Sequence, residues 1–291
     1  MTMQAVCAVI VTYHPSPSML ENIPKVLAQV QRLIVVDNGS SPEELAPLRS
    51  ASAALNFELV ENGRNLGIAE ALNQGVRRAK HQGFRWVLLF DQDSKITQGF
   101  VQQMFVTWEN HSCRDRVCSI HPRYVGPSEG EELTVPRMRD GGPFVSMTSG
   151  SLIPTWIFDQ IGWFASDYFI DLVDWEYCAR IRAAGFLVAD SRAATLRHAA
   201  GNPTRIKFLG FSFLLSHHSA VRHYYIARNS IVFHRKYFCA FPWHILKSAY
   251  RQFRWTLKCF ILEQDRGRKG RNILLGTWDG LRGRMGQREG L

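Results

Sequence analysis

Trp86–Ser94 reads WVLLFDQDS: five apolar residues in a row, then two carboxylates one residue apart. A short continuous apolar run is the mark of a strand buried on both faces, as in a parallel sheet. The change at Asp91 places Asp91-Gln92-Asp93-Ser94 just beyond the strand's carboxyl end. Upstream the pattern repeats. Ala5–Thr12 (AVCAVIVT), Leu33–Val36 (LIVV) and Phe57–Val60 read as further strands. Helical spacing over Ser16–Val30, Pro42–Ala54 and Leu66–Lys80 fills the gaps, with Ala69, Leu72, Val76 and Ala79 on one face of the last. Strand–helix alternation predicts an α/β fold, a mostly parallel sheet with helices on both faces. Ligands of such sheets bind past the carboxyl ends of the strands. Those ends carry Thr12-Tyr13, Asp37-Asn38, Asn62-Gly63-Arg64-Asn65 and Asp91-Gln92-Asp93.

Beyond residue 117 the alternation stops. Val117–Val125 reads as a strand and Gly126–Gly142 as a polar loop. Met147–Ser151 precedes Leu152-Ile153, a helix begins near Asp174 and ends at Gly185, and Phe186–Asp190 and Ala194–His198 read as two short strands. Gly just past a helix end is a stop signal.

Several classes are excluded. No G-x-G-x-x-G follows a strand and no G-x-x-x-x-G-K-[ST] occurs, which argues against dinucleotide oxidoreductases and P-loop NTPases. With 46% apolar and 21% charged residues among 291, the chain can bury a sizeable core. Six scattered cysteines without a Cys-x-x-Cys pair argue against a disulfide scaffold and a cysteine-rich zinc site, and favour reduced thiols and a cytoplasmic protein. MTMQAVCAVIVTYHP lacks the basic start of a signal peptide, and no run of 18 apolar residues is present. Charge is uneven: residues 201–291 hold 17 Lys/Arg against 4 Asp/Glu, a net of +13, while residues 1–200 carry a net of −3. The basic part suits phosphates, on nucleic acid, lipid head groups or a substrate.

Each candidate residue has a plain reading beside a functional one. Asp91 and Asp93 either form a solvated turn capping the next helix or share a hard cation and a sugar hydroxyl; Mg²⁺ and Mn²⁺ take oxygen ligands and are often completed by phosphates. Asp37 is either turn chemistry in Asp-Asn-Gly or an acceptor for a pyrimidine N–H. Asp171, Asp174 and Glu176 suit a helix N-terminus, yet Asp174 stands between Val173 and Trp175, a setting that favours a general base with a raised pKa. His198 is either structural or a further metal ligand. Arg222, Tyr225 and Asn229 share one helix face, with Arg228 beside them, and form either a solvated basic face or a contact to a diphosphate or acceptor phosphate. Trp243–Leu262 is amphipathic: Leu246, Tyr250, Phe253, Leu257 and Phe260 on one stripe, Lys247, Arg251, Arg254 and Lys258 on another. It either packs on its own domain or lies on an anionic membrane surface, for which Trp243 and Trp255 are suited.

The ordered set VTYHP, VVDNGSS, NLGIAEALNQG, FDQDS, VDWEYCARIRAAGF and H-x-x-G resembles glycosyltransferase family 2, with the GT-A fold, from Val9 to about Gly286. FDQDS, FIDLVDWEYC and YYIARN resemble its bacterial rhamnosyltransferase branch. The resemblance implies a GT-A domain over residues 1–205, with a nucleotide half to about 95 and an acceptor half after it, and a basic helical region over 206–291. It implies an inverting, Mg²⁺- or Mn²⁺-dependent sugar transfer, with dTDP-L-rhamnose favoured over a UDP-sugar. The acceptor would be a saccharide, polyprenyl-linked, in surface polysaccharide synthesis at the inner face of the cytoplasmic membrane. Thr12, Tyr13, Asp37, Asn65, Gly67 and Asp91 would serve the nucleotide, and Asp93 and His198 the metal. Asp174 would be the base, and Ser149, Gly150, Trp175 and Glu176 would shape the donor and acceptor cleft. Many relatives have Glu-Asp where this chain has Val173-Asp174. There is no Q-x-x-R-W motif, which disfavours a processive synthase. A homo-oligomer is compatible with the sequence. Nucleic acid is not an expected partner; salt-dependent DNA affinity without sugar-nucleotide binding would favour that rival.

Overall fold

All seven residues of β1 (Val6–Thr12) are buried in the computed structural model, which describes residues 5–126, 134–197, 204–208, 211–215 and 218–291. β1 lies between β2 (Arg32–Asp37) and β4 (Trp86–Asp91), parallel to both, and β3 (Glu58–Glu61) continues the parallel run beyond β2. The apolar runs of β1, β2 and β4 are covered on both faces, while β3 at the sheet edge is half-buried.

The intervening helices start where local chemistry dictates. In α1 (Pro17–Leu27) and α2 (Pro42–Leu55), Pro stands in the first turn, where no N–H is needed. Ser41 and Glu44 close a reciprocal capping box on α2. Met19, Ile23, Leu45 and Leu48 join Ala8, Ile10, Leu33, Val35, Leu88 and Phe90 in one core. Each such side chain removed from water contributes about 1.5–3 kcal/mol. α3 (Ile68–His81) approaches β1 so closely that a Cβ on Gly75 would stand 2.2 Å from Val9 Cγ1. Any larger residue there would push helix from sheet.

The eight-stranded sheet runs β3-β2-β1-β4-β7-β6-β8-β5. β7 (Leu152–Pro154) is antiparallel to both β4 and β6 (Val117–Val125). β8 (Leu187–Arg197) runs parallel to β6, and the short β5 (Lys95–Ile96) pairs antiparallel with it. The sheet is thus mixed but mostly parallel. The two short strands expected over 186–198 are one strand whose register shifts between Ser191 and Thr195. Buried Ser191 holds that irregularity: its Oγ accepts from Ala194 N at 3.2 Å and Thr107 Oγ1 at 2.8 Å. α4 (Phe100–Glu109), not foreseen from the sequence, buries Phe100, Val101 and Met104. α5 (Ile157–Ile161) and α6 (Val173–Ala183) complete this part.

The chain divides into two compact units: Met1–Ser166 with Asp174–His198, and Asp167–Val173 with Ala199–Leu291. The assignment of 167–173 to the second unit was not legible in the sequence. That unit contains the hairpin β9 (Thr204–Phe208) and β10 (Phe211–Leu215), and helices α7 (Ala220–Tyr237), α8 (Pro242–Leu262) and α9 (Arg266–Arg282). Gly276 and Gly280 give α9 a smooth face toward α7. A Cβ on Gly276 would meet Tyr224 O at 2.2 Å, and one on Gly280 would meet Arg228 O at 2.7 Å.

Candidate active site

Strand register gathers the expected residues at one sheet edge. Thr12 pairs with Asp37, and Val11 with Asp91. Beyond β1, Asn38 N donates to Thr12 O at 2.8 Å. Gln92, between the two acids, reaches back to β1: its Oε1 accepts from Thr12 Oγ1 at 2.6 Å and Tyr13 N at 2.9 Å. Asn38 ties in the third strand end. Its Nδ2 donates to Asn65 Oδ1 at 3.0 Å, and its Oδ1 accepts from Leu66 N at 3.0 Å. Asn65 Oδ1 in turn accepts from Gly67 N at 2.9 Å, and Gly67 opens α3 with φ +85°.

Asp37 is fully buried and works within its own turn. Oδ2 accepts from Gly39 N and Ser40 N, both at 2.9 Å, and Oδ1 from Ser40 Oγ at 2.5 Å. Gly39 has φ +100°, and a Cβ there would lie 2.4 Å from Arg64 C. The turn reading of Asp-Asn-Gly is therefore realised, and the Asn62–Asn65 loop lies directly against it.

The segment before β7 holds the acid pair from the other side. Buried Ser149 accepts from Asp91 N at 3.3 Å through Oγ, which also bonds Ser94 Oγ. Gly150 N donates to Leu89 O at 2.6 Å. Gly150 has φ +79°, and a Cβ would press on Pro122 Cγ at 2.7 Å. Tyr124 OH donates to the carbonyls of Met147 (2.9 Å) and Ser149 (3.0 Å). Burial pushes this phenol well above its ordinary range, with further upward pushes from the Cys178 thiol and the carboxylates of Asp174 and Asp91. Both acids thus lie within electrostatic reach of one buried ring.

Asp174 is half-buried in the first turn of α6, and its Oδ1 accepts from Trp175 N at 2.8 Å. It lines a small pocket with Ser146, Thr148, Tyr177 and Cys178. His121, on the same pocket, is buried between Ser119 Oγ (2.8 Å) and Met147 O (3.0 Å); desolvation lowers its pKa to about 4. Asp91, Gln92 and Asp93 are half-buried. Carboxylates such as those of Asp91 and Asp93 are the oxygen ligands that a hard divalent cation takes. His198 lies outside the described residues.

Three expected site residues are placed elsewhere. Glu176 is fully buried, and Arg180 grips both its oxygens while also donating to the carbonyls of Ile161 (3.0 Å) and Trp163 (2.8 Å). It is a structural ion pair, not a cleft residue. Arg228 is 1% exposed and donates to Tyr168 O at 3.0 Å, Gly286 O at 2.5 Å and Asn229 Oδ1 at 2.9 Å. Tyr225, 2% exposed, accepts from Arg288 N at 3.1 Å and stacks on Phe169. Both serve the interior of their own unit, in place of the phosphate contact expected. Arg222 is paired with Asp171. Trp175 is half-buried beside Asp174. Sequence reasoning placed Asn38, Gln92 and Ser94 at the strand ends without a specific role, and missed His121 and Tyr124. The last two gave only a weak signal, within a strand of mixed polarity.

A mostly parallel sheet with an acid pair at the end of its central strand, and a separate carboxylate lining a pocket, is an arrangement of the GT-A fold. The family model described as Glycosyl transferase family 2 matches residues 7–158, more than half of the chain, and the protein belongs to that family. It is 27% identical to the dTDP-rhamnosyl transferase RfbF of Shigella flexneri over 96% of each chain. Among solved structures it is similar to residues 1–349 of S. aureus TarS (TM-score 0.63, 12% identity, 95% of this chain and 81% of that one). That TarS fragment is also known with UDP-GlcNAc, and this chain spans 43% of the longer TarS chain. It is likewise similar to the mannosyltransferase PcManGT of Pyrobaculum calidifontis, solved with GDP-Man and Mn²⁺ (TM-score 0.60, 14% identity, 96% and 88%). These structural likenesses establish the fold.

Proposed function

We propose that this glycosyltransferase moves L-rhamnose from dTDP-L-rhamnose, with inversion and a divalent metal, onto a lipid-linked saccharide in bacterial surface polysaccharide synthesis. The likeness to a dTDP-rhamnosyl transferase, 27% identity over 96% of both chains, supports the donor assignment. The Asp91-Gln92-Asp93 turn, held between Thr12 and Ser149, carries the chemistry. Thr12, Tyr13 and Asn65 would line the nucleoside, with the Asp37 turn beneath it and Gly67 opening the helix behind. Asp93 would hold the cation and Asp91 the ribose side of it. A bound Mg²⁺ or Mn²⁺ supplies neutralisation of the charge gathering on the departing diphosphate.

Asp174 takes the proton of the acceptor hydroxyl as that oxygen attacks the anomeric carbon. The bond from the anomeric carbon to the diphosphate oxygen breaks, and the nucleoside diphosphate leaves with the electron pair. One displacement inverts the centre. Ser149 and Gly150 position the acid pair and leave room for the sugar.

The outward face of α8 supports placement on the inner face of the cytoplasmic membrane. Trp243, Leu246, Tyr250, Phe253 and Leu257 are all exposed, Phe253 by 65%, with Lys247, Arg251 and Arg254 exposed among them. Phe260, at the end of the stripe, packs against α9, where a Cβ on Gly270 would stand 2.6 Å from its ring. Trp255 turns inward onto His223. No described helix is long and apolar enough to cross a membrane.

A UDP-sugar donor is the second reading, favoured by the TarS likeness. A thermal-shift screen of dTDP-L-rhamnose against UDP-sugars, with Mn²⁺ or Mg²⁺, separates the two, because a ligand of the native state raises Tm. The dTDP sugar should give the larger rise, and Asp93→Ala should remove the metal-dependent part. A larger rise with a UDP-sugar would overturn the donor assignment.

A further inference from the structure

The C-terminal helical unit contains a buried group of soft and hard ligands that the transfer chemistry does not use. His223 on α7, Cys259 on α8 and Glu263 just beyond α8 are all buried, and their ligand atoms lie within 4.8 Å of one another. The imidazole orientation is set by its other nitrogen. His223 Nδ1 lies 2.9 Å from Ser219 O, and a carbonyl only accepts, so Nδ1 carries the proton. In the neutral ring Nε2 is then a bare lone pair. It is buried without a hydrogen-bond partner, and faces Glu263 Oε2 at 3.6 Å, too far for a hydrogen bond. Trp255 stacks on the ring at 4.6 Å and fixes its plane.

A buried lone pair aimed at a carboxylate leaves an unmet electrostatic demand. Lys269 Nζ bonds Glu263 Oε2 at 2.6 Å, which balances the carboxylate charge but leaves Nε2 unsatisfied. A cation between His223, Cys259 and Glu263 would satisfy all three groups. An imidazole whose far N–H is donated to a backbone carbonyl is the usual arrangement of a metal-bound histidine. Thiolate, imidazole and carboxylate together select Zn²⁺ over Mg²⁺ or Ca²⁺.

We propose that His223 Nε2, Cys259 Sγ and Glu263 form a Zn²⁺ site, separate in ligand chemistry from the Asp91/Asp93 pair, that pins α7 to the end of α8. On binding, the Cys259 thiol gives its proton to solvent, and water completes the coordination. Thiolate and carboxylate then offset the charge of the metal, and the Lys269 ammonium that keeps its contact to Glu263 leaves the buried group with one net positive charge.

The test uses Co²⁺ as a spectroscopic stand-in for Zn²⁺ on the full chain after dialysis against chelator. One equivalent of Co²⁺ should give an intense thiolate-to-metal charge-transfer band, which Zn²⁺ abolishes. An oxygen-only site at Asp91/Asp93 cannot produce that band. Cys259→Ser should lose it, and His223→Gln should weaken Co²⁺ binding by tenfold or more. Circular dichroism in chelator checks that each variant is folded. Should a variant fail to fold, the wild-type band and a Zn²⁺-induced rise in the Tm of Asp93→Ala, which keeps His223, Cys259 and Glu263, remain decisive. Wild type without a thiolate band, or a band that persists in folded Cys259→Ser, would overturn the proposal.

Discussion

Thr12 Oγ1 donates a 2.6 Å hydrogen bond to Gln92 Oε1, joining the end of β1 to the middle of the acid pair at the end of β4. The same oxygen accepts from Tyr13 N. The residues expected to meet the nucleoside and those expected to meet the diphosphate are thus one hydrogen-bonded unit. Gln92→Ala should raise KM for the donor by about tenfold, the worth of one or two hydrogen bonds, with little change in Tm. Steady-state kinetics with varied donor checks this; an unchanged donor KM would separate the two strand ends functionally.

Asn229 should matter for stability more than its single side chain suggests. Phe169, Asp171 and Leu172 all adopt positive φ, from 60° to 65°, a conformation L-residues adopt at a cost. Asn229 Nδ2 lies 2.8–3.1 Å from the carbonyls of Tyr168, Ile170 and Asp171, and so holds that turn. Asn229→Ala should cost about 1–3 kcal/mol in urea unfolding, since the carbonyls of Ile170 and Asp171 lose this donor while Tyr168 O keeps Arg228. A loss under 0.5 kcal/mol, within the ordinary range of surface changes, would show that the turn holds itself.

The first four strands and three helices were readable because their apolar periodicity is strong and their ends carry Pro, Ser and Gly signals. α4 was not, because Phe100, Val101, Phe105 and Val106 blur its helical period. The sequence reads as two strands, 186–190 and 194–198, yet Ser191 satisfies the backbone between them and the strand continues. In the candidate site, Asp91, Asp93 and Asp174 were legible as acids at element ends. The inward commitments of Glu176 and Arg228 were not, because sequence shows a charge but not the buried partner that consumes it.

Acid should weaken the fold through His121. Burial disfavours the cation and lowers its folded pKa to about 4 against 6.5 in an open chain; the bond to Met147 O and the Asp190 carboxylate oppose this, while Arg182 adds to it. Between those values the unfolded state binds more protons, so stability falls as pH falls from about 6.5 toward 4, by up to about 1.4 kcal/mol per unit. Above that window the contribution is fully present. His218 is depressed similarly, so the comparison with His121→Gln isolates the effect. The stability advantage of wild type over this variant should shrink as pH drops. A constant difference from pH 7 to 4 would contradict the assignment.

Sedimentation with anionic vesicles tests the α8 face. Wild type should bind at low salt and partly persist at high salt, through charge and apolar burial respectively. A variant neutralised at Lys247, Arg251, Arg254 and Lys258 should bind much less. If neither binds, or both bind equally, the face serves another contact.

The most direct test of the central claim is transfer by Asp174→Asn. The amide keeps the shape and can still accept from Trp175 N, but cannot take the acceptor proton. Donor affinity, read as the Tm rise with dTDP-L-rhamnose and Mn²⁺, should remain near wild type, while the rate of transfer falls by about 10²–10⁴-fold. Transfer at the wild-type rate with intact donor binding would contradict the account and move the base to another group.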